Sequence, residues 1–183
     1  MNRNSFLAAL TVAVMGTGLM IDSARAQEPT LASVAQATID AAELEVNNAR
    51  AAIEKGKELI ATIPEDSPLM PDVAQVVQAA SENWKIAVDS LQGAIDSASK
   101  IDGASNDSIA ADYALLSKVN AGVAVSGAKV VQIAIAYVEA IATEKTESLD
   151  VIRVAMQDAL AGSSQVRFNY DRVKTLIAQK YSK

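Results

Sequence analysis

The chain has 183 residues and a formal charge of −6, from 16 Lys and Arg against 22 Asp and Glu, and it contains neither cysteine nor histidine. Disulfides, thiolate nucleophiles, imidazole proton shuttles and cysteine or histidine metal ligands are therefore excluded. Half of the residues are apolar and only 4% are aromatic. Roughly a fifth are alanine, the strongest helix former, so the composition predicts an all-α protein.

The first 26 residues have the pattern of a secretory signal peptide. Arg3 gives a positive start, residues 6–21 are almost uninterruptedly apolar, and Ala-Arg-Ala at residues 24–26 matches a cleavage site. The alternative is an uncleaved membrane anchor, which the short apolar run disfavours. We therefore expect export to a bacterial periplasm or the extracellular space, with residues 27–183 forming a single domain. Cleavage removes two arginines and one aspartate, which leaves a charge of −7.

The first helix of this domain is expected to end at a proline cluster, Pro64, Pro68 and Pro71, because a helix cannot run through three prolines so close together. Asp72, with Gln75 three residues later, then resembles a capping box that starts the second helix.

Two further breaks follow. Around Gly103 the chain is polar, and we expect the glycine to take the left-handed conformation while Asn106 or Asp107 caps the third helix. Residues 143–148 contain two candidate caps, Thr146 and Ser148, but neither glycine nor proline. This third turn is therefore the least strongly predicted of the three.

Between the breaks, apolar residues recur in steps of three and four, as in packed helices. One such seam runs from Ala35 to Ile63, a second from Val73 to Ile101 through Trp84, and the last from Leu149 to Ile177. They predict an elongated antiparallel up-down four-helix bundle with coiled-coil-like packing, with helices at about residues 30–63, 72–101, 107–143 and 147–181. In this arrangement the only tryptophan is a core residue.

Two alternatives to the four-helix arrangement remain open. The third and fourth segments keep their heptad register across residues 143–148, so one alternative is a continuous helix from Asp107 towards Tyr181. Such a long helix would have to dimerise, because a single chain could not cover it. A break near Gly162 would instead give five helices.

The third segment differs from the others because it is apolar around most of its circumference. Lys129 is the only charged residue between Val119 and Val138. We favour its being the most buried helix of the bundle. The other two hypotheses are a membrane-inserting element and a pocket or oligomer interface formed by small residues. Those small residues are Ala121, Gly122, Ala124, Ser126, Gly127 and Ala128.

The C-terminal end of the chain is basic, whereas the rest is acidic. Residues 167–183 carry a charge of +4, which leaves −11 for residues 27–166. One hypothesis is an interaction stripe for lipid headgroups or an acidic partner. A second, which we favour, is that the cations complement the helix dipole while the tyrosines belong to the seam. The stripe would consist of Arg167, Phe168, Tyr170, Arg172, Lys174, Lys180, Tyr181 and Lys183.

The sequence contains no nucleophile elbow, phosphate-binding loop or metal-ligand spacing, so we expect neither enzymatic activity nor a cofactor. Nucleic acid is not expected to bind an exported acidic chain. The hypothesis is an exported, non-enzymatic bundle that acts by protein contacts or self-association, as a structural or adaptor component of the cell envelope or a secreted matrix. The alternative is a lipid-binding or membrane-active bundle.

Overall fold

The structure, a computed structural model, describes residues 29–182, so the predicted signal peptide and Lys183 lie outside the described residues. Four helices account for most of the described chain: α1 (Leu31–Ile60), α2 (Met70–Ala98), α3 (Asp107–Ala142) and α4 (Leu149–Tyr181). A short 3₁₀ turn, Thr146–Ser148, precedes α4. The predicted all-α four-helix bundle is confirmed, and every predicted helix end lies within three residues of the observed one.

The central element of the bundle is α3, which packs against each of the other three helices. By contrast, α1 and α2 meet over a short distance, and α4 packs closely against α3 alone among the four helices. This position explains why α3 is apolar around most of its circumference. Val130, Val131 and Val138 are completely buried. The prediction that this segment is the most buried helix is therefore confirmed.

Among the described residues, α3 is also the one helix long and apolar enough to span a membrane by length and composition. In its most apolar stretch of 18 residues, however, 61% of the residues are buried inside the bundle. Burial against the other helices therefore accounts for the apolar composition of α3.

The heptad seams face the core as predicted. Ala35, Ile39, Val46, Val73 and Ala80 are all at most 4% exposed, and the remaining residues of the first two seams are buried or half-buried. The predicted core position of Trp84 is met only in part, because its side chain is half-buried at the edge of the main cluster.

The small residues of α3 allow α2 to come unusually close. A Cβ atom placed on Gly127 would lie 2.8 Å from the backbone oxygen of Asn83 and 3.3 Å from the backbone nitrogen of Ala87. Ala124 and Ala128 are fully buried in the same cluster. These residues therefore serve helix packing within the chain.

A turn separates α3 from α4, so the continuous helix is wrong. Glu144 has φ 58°, the left-handed conformation, and Lys145 N donates to Ala140 O at 2.9 Å while Glu144 N donates to Ile141 O at 3.1 Å. These two bonds form a Schellman motif, which ends a helix and usually has glycine at the left-handed position. The five-helix alternative is also wrong, because α4 continues through Gly162.

Several predicted caps differ from the observed ones. Asn106 caps α3 as expected, since its Oδ1 accepts from Ile109 N at 3.0 Å. Asp72 is not the cap of α2: proline at the first turn has no N–H to satisfy, so the helix begins earlier, at Met70, and the Asp72 carboxylate is used in a tertiary contact.

The remaining cap predictions are also wrong. Gly103 does not take the left-handed conformation, because 3₁₀-type backbone bonds, including Ile101 N to Ala98 O at 3.0 Å, end α2 instead. Neither Thr146 nor Ser148 makes a side-chain cap bond at the start of α4. The Schellman motif and the 3₁₀ turn determine this connection without them.

Candidate functional site

The face of α4 that points away from α3 carries exposed apolar side chains. Val151, Val154, Phe168 and Leu176 are 66%, 57%, 64% and 56% exposed. We call these four residues, together with exposed Ala161, the outer face of α4. Single exposed apolar residues are normal on a protein surface, but several on one face of a helix require an explanation.

The outer face follows a helical repeat of its own. Val154, Ala161 and Phe168 are seven residues apart, which places them in one line along the helix. On the opposite side, the predicted seam from Leu149 to Ile177 packs on α3, with Met156 and Ser163 buried. Thus α4 has two apolar seams, and the described bundle covers one of them.

Three exposed cations lie on the distal half of α4. Arg167, Arg172 and Lys174 are exposed, and none of them forms an ion pair with another residue in the range 29–182. The Lys174 ammonium lies 5.8 Å from the ring centroid of Tyr170, a half-buried residue on the inner seam. These residues belong to the predicted interaction stripe. Arg172, four residues after Phe168, lies on the outer face, whereas Arg167 and Lys174 lie towards the inner seam.

The other described members of the stripe are used within the chain. Lys180 Nζ lies 2.7 Å from Asp112 Oδ2 and donates to Ser108 Oγ at 2.8 Å, and the Tyr181 hydroxyl donates to the same Asp112 oxygen at 2.6 Å. We call these contacts the C-terminal clamp, because they join the end of α4 to the start of α3. Lys180 and Tyr181 therefore differ in role from Arg167, Arg172 and Lys174.

The clamp shifts the ionisation of its members. Hydrogen bonds from Lys180 and Tyr181 lower the pKa of Asp112, whose side chain is only 17% exposed. The bond to Asp112 raises the pKa of Lys180, and it also raises the pKa of Tyr181 because the carboxylate stabilises the neutral phenol. The clamp is therefore fully formed when Asp112 is ionised and both partners are protonated.

A second polar contact fixes the start of α4. Arg153 Nη2 donates to Tyr137 Oη at 3.1 Å and to Asp72 Oδ2 at 3.3 Å, and Tyr137 Oη donates to the same carboxylate at 3.2 Å. The hydrogen bond to Tyr137 is the main cause of a raised pKa for Arg153. These residues are distant in the sequence, so no local pattern could have predicted the cluster.

The outer face of α4 is an exposed apolar surface. In residues 29–182 there is no group of three or more carboxylates placed to hold a metal ion. Apart from Phe168, the sequence analysis missed the apolar residues of the outer face, although Val154, Ala161 and Phe168 repeat every seven residues opposite the inner seam. Only the basic end of α4 was singled out.

Comparison with protein-family models, with curated proteins and with solved structures gives no match for this chain.

Proposed function

We propose that this chain is an exported, non-enzymatic bundle that acts through protein contacts made by the outer face of α4. In this role it is a structural or adaptor component of the cell envelope or of a secreted matrix. One observation carries the proposal: the line Val154, Ala161 and Phe168 is exposed and keeps a heptad spacing, and Arg172, which forms no ion pair among the described residues, lies one turn after Phe168 on the same face.

The spacing favours a helix as the partner. A seven-residue apolar repeat on a helix packs best against another helix with the same repeat, because side chains then interlock along both. Arg172, one turn after Phe168, favours acidic residues along the edge of the partner helix. We therefore expect an amphipathic helix with an apolar seam and acidic flanks.

A second copy of the chain provides such a surface. On α1, Leu44 is 61% exposed, and the exposed residues Asp40, Glu43 and Glu58 lie on the same side of the helix. Residues 27–166 carry −11, against +4 at the basic end, so charge also favours contact between unlike ends of two copies. Because α4 of one copy would contact α1 of the next, this head-to-tail contact would give an open chain or a closed ring.

Light scattering after size-exclusion chromatography, on residues 27–183 over a range of protein concentrations, tests this proposal. We expect the mass to rise with concentration and the rise to shrink in high salt. Phe168→Ser should weaken association by about tenfold or more, because burying a phenylalanine contributes about 1.5–3 kcal/mol. Val88→Ser, at a 38% exposed site on α2, is the matched control and should associate like the wild type. A monomer at every concentration would contradict self-assembly.

A lipid-binding role is the second candidate function, because an exposed apolar line on a helix that also carries unpaired cations is typical of helices that lie on anionic membranes. Co-sedimentation with vesicles of phosphatidylglycerol and phosphatidylcholine distinguishes the two functions. Replacing Arg167, Arg172 and Lys174 with glutamine should abolish sedimentation if lipid is the target. Lack of sedimentation by the wild type excludes this candidate.

A further inference from the structure

A groove on the opposite side of the bundle from α4 has a different chemical character. It lies between α1 and α2, where these helices meet only over a short distance, and its floor is formed by Ile135 of α3. The groove is half-open, with a volume of about 360 Å³. Small-molecule sites in proteins typically start at about 300 Å³.

The walls of the groove are almost entirely apolar. A methyl group on Gly56 would meet Ile135 Cδ1 at 2.6 Å, so the absence of a side chain at Gly56 lets the isoleucine form the floor. The indole of Trp84 forms one side of the opening and is half-buried. The remaining apolar lining consists of Ile53, Ile60, Val77 and Ala80.

The rim of the groove carries one cation in excess. Lys57 Nζ pairs with Glu54 Oε1 at 2.8 Å, which neutralises two of the three charged residues at the rim. The third, Arg50, has its guanidinium carbon 5.9 Å from the centroid of the Trp84 ring and forms no ion pair within the described part of the chain. A guanidinium placed over an aromatic face keeps its N–H groups available to a carboxylate.

We infer that this groove binds a small amphipathic carboxylate. The apolar part lies between Ile53, Val77 and Ile135, and the carboxylate accepts hydrogen bonds from Arg50 at the rim. The binding site is distinct from the α4 surface, and neither proposal depends on the other. The groove holds about a dozen non-hydrogen atoms, if each takes the ~30 Å³ of a water molecule in the liquid. A straight-chain carboxylate of that size, decanoate, is a suitable probe.

The experiment is a titration of residues 27–183 with decanoate, kept below micelle-forming concentrations. The emission of Trp84, the only tryptophan, should shift to shorter wavelength and saturate, and calorimetry should give the same Kd. Decanol should bind about tenfold more weakly and decyltrimethylammonium more weakly still, because a charged hydrogen bond to Arg50 is lost or becomes a repulsion.

Two variants locate the site. Arg50→Gln should raise the Kd of decanoate about tenfold without changing that of decanol, whereas Lys118→Gln, which removes a charge from exposed α3 surface, should change neither. Val77→Phe fills the groove and should abolish binding of both probes, whereas Val88→Phe on the exposed side of α2 should not. Circular dichroism checks that each variant is folded.

Either of two results would contradict the proposal. Equal affinities for the carboxylate, the alcohol and the ammonium, unchanged by Arg50→Gln, would show unspecific partitioning of alkyl chains. A titration with neither heat nor a shift in Trp84 emission would show that the groove is only a gap in helix packing.

Discussion

Gly127 is the position at which the close approach of α2 and α3 is most directly testable, through Gly127→Ala. The new methyl carbon would lie 2.8 Å from the backbone oxygen of Asn83, and 3.3 Å and 3.2 Å from the nitrogen and Cβ of Ala87. Two of these atoms are backbone atoms of a packed helix, which cannot rotate out of the way. The helices must therefore separate locally.

The magnitude follows from two opposing contributions. Alanine is favoured over glycine inside a helix by about 1 kcal/mol, whereas overpacking a tight core costs about 1–3 kcal/mol. Because the contact involves backbone, we expect the steric cost to lie in the upper part of that range. Gly127→Ala should then lower the free energy of unfolding by about 1 kcal/mol, equivalent to about 2–4 °C in Tm for a domain of this size.

Gly162→Ala is the matched control. Gly162 is also inside a helix, but a Cβ atom there meets nothing within 4 Å, so only the gain in helix propensity remains. This variant should be more stable than the wild type by about 1 kcal/mol. The difference between the two variants isolates the steric cost, about 2 kcal/mol.

Urea denaturation of both variants provides the measurement, followed by far-UV circular dichroism and by Trp84 emission. Coincident transitions from the two probes justify treating unfolding as two-state. If Gly127→Ala and Gly162→Ala both stabilise the protein by similar amounts, the described α2–α3 distance is wrong.

Two further predictions concern the ends of α4. The pKa of Asp112 is lowered from its ordinary value of 3.8. The C-terminal clamp therefore stabilises the fold when the pH is above 3.8, and this stabilisation is lost as the pH falls through the lowered pKa. The pKa of Tyr181 is raised from 10.0, so its contribution to stability is complete when the pH is below 10.0 and is lost as the pH rises through the raised pKa. The pKa of Lys180 is likewise raised from 10.5, so its contribution is complete below pH 10.5 and is lost above the raised pKa. Thermal unfolding of the wild type and Asp112→Asn should therefore differ most near neutral pH and converge at both extremes; a constant difference would contradict the assignment. At the α3–α4 turn, Glu144→Gly should stabilise by about 0.5–1 kcal/mol, because glycine takes the left-handed conformation without steric cost. Urea denaturation measures the change, and the control Glu147→Gly, in the 3₁₀ turn, should not raise the free energy of unfolding.

The helices and their inward faces could be predicted from the sequence because they depend on local periodicity. The seams containing Ile39, Val46 and Val73 are buried as the three- and four-residue steps indicate. The caps were less predictable, since Asp72 is drawn into a contact with Tyr137 and Arg153 that is distant in sequence. The turn at Glu144 lacked the usual glycine, so the sequence left a continuous helix open.

The interaction stripe illustrates the same division. The sequence grouped eight residues by charge and aromatic character, but pairing with Asp112 separates Lys180 and Tyr181 from Arg167, Arg172 and Lys174. Which cations form an ion pair among the described residues depends on the position of α3 beside α4, and no pattern within α4 contains that information.

The lack of cysteine and histidine, the charge of −6, the four helices and their buried faces follow from the sequence by itself, because composition and heptad spacing act locally along the chain. Only the tertiary structure decided that α4 packs on one side and leaves its outer face uncovered, and that Arg50 and Trp84 meet over an apolar groove. These features arise from contacts between helices far apart in sequence, where the space left by glycine and alanine determines how closely each pair can approach.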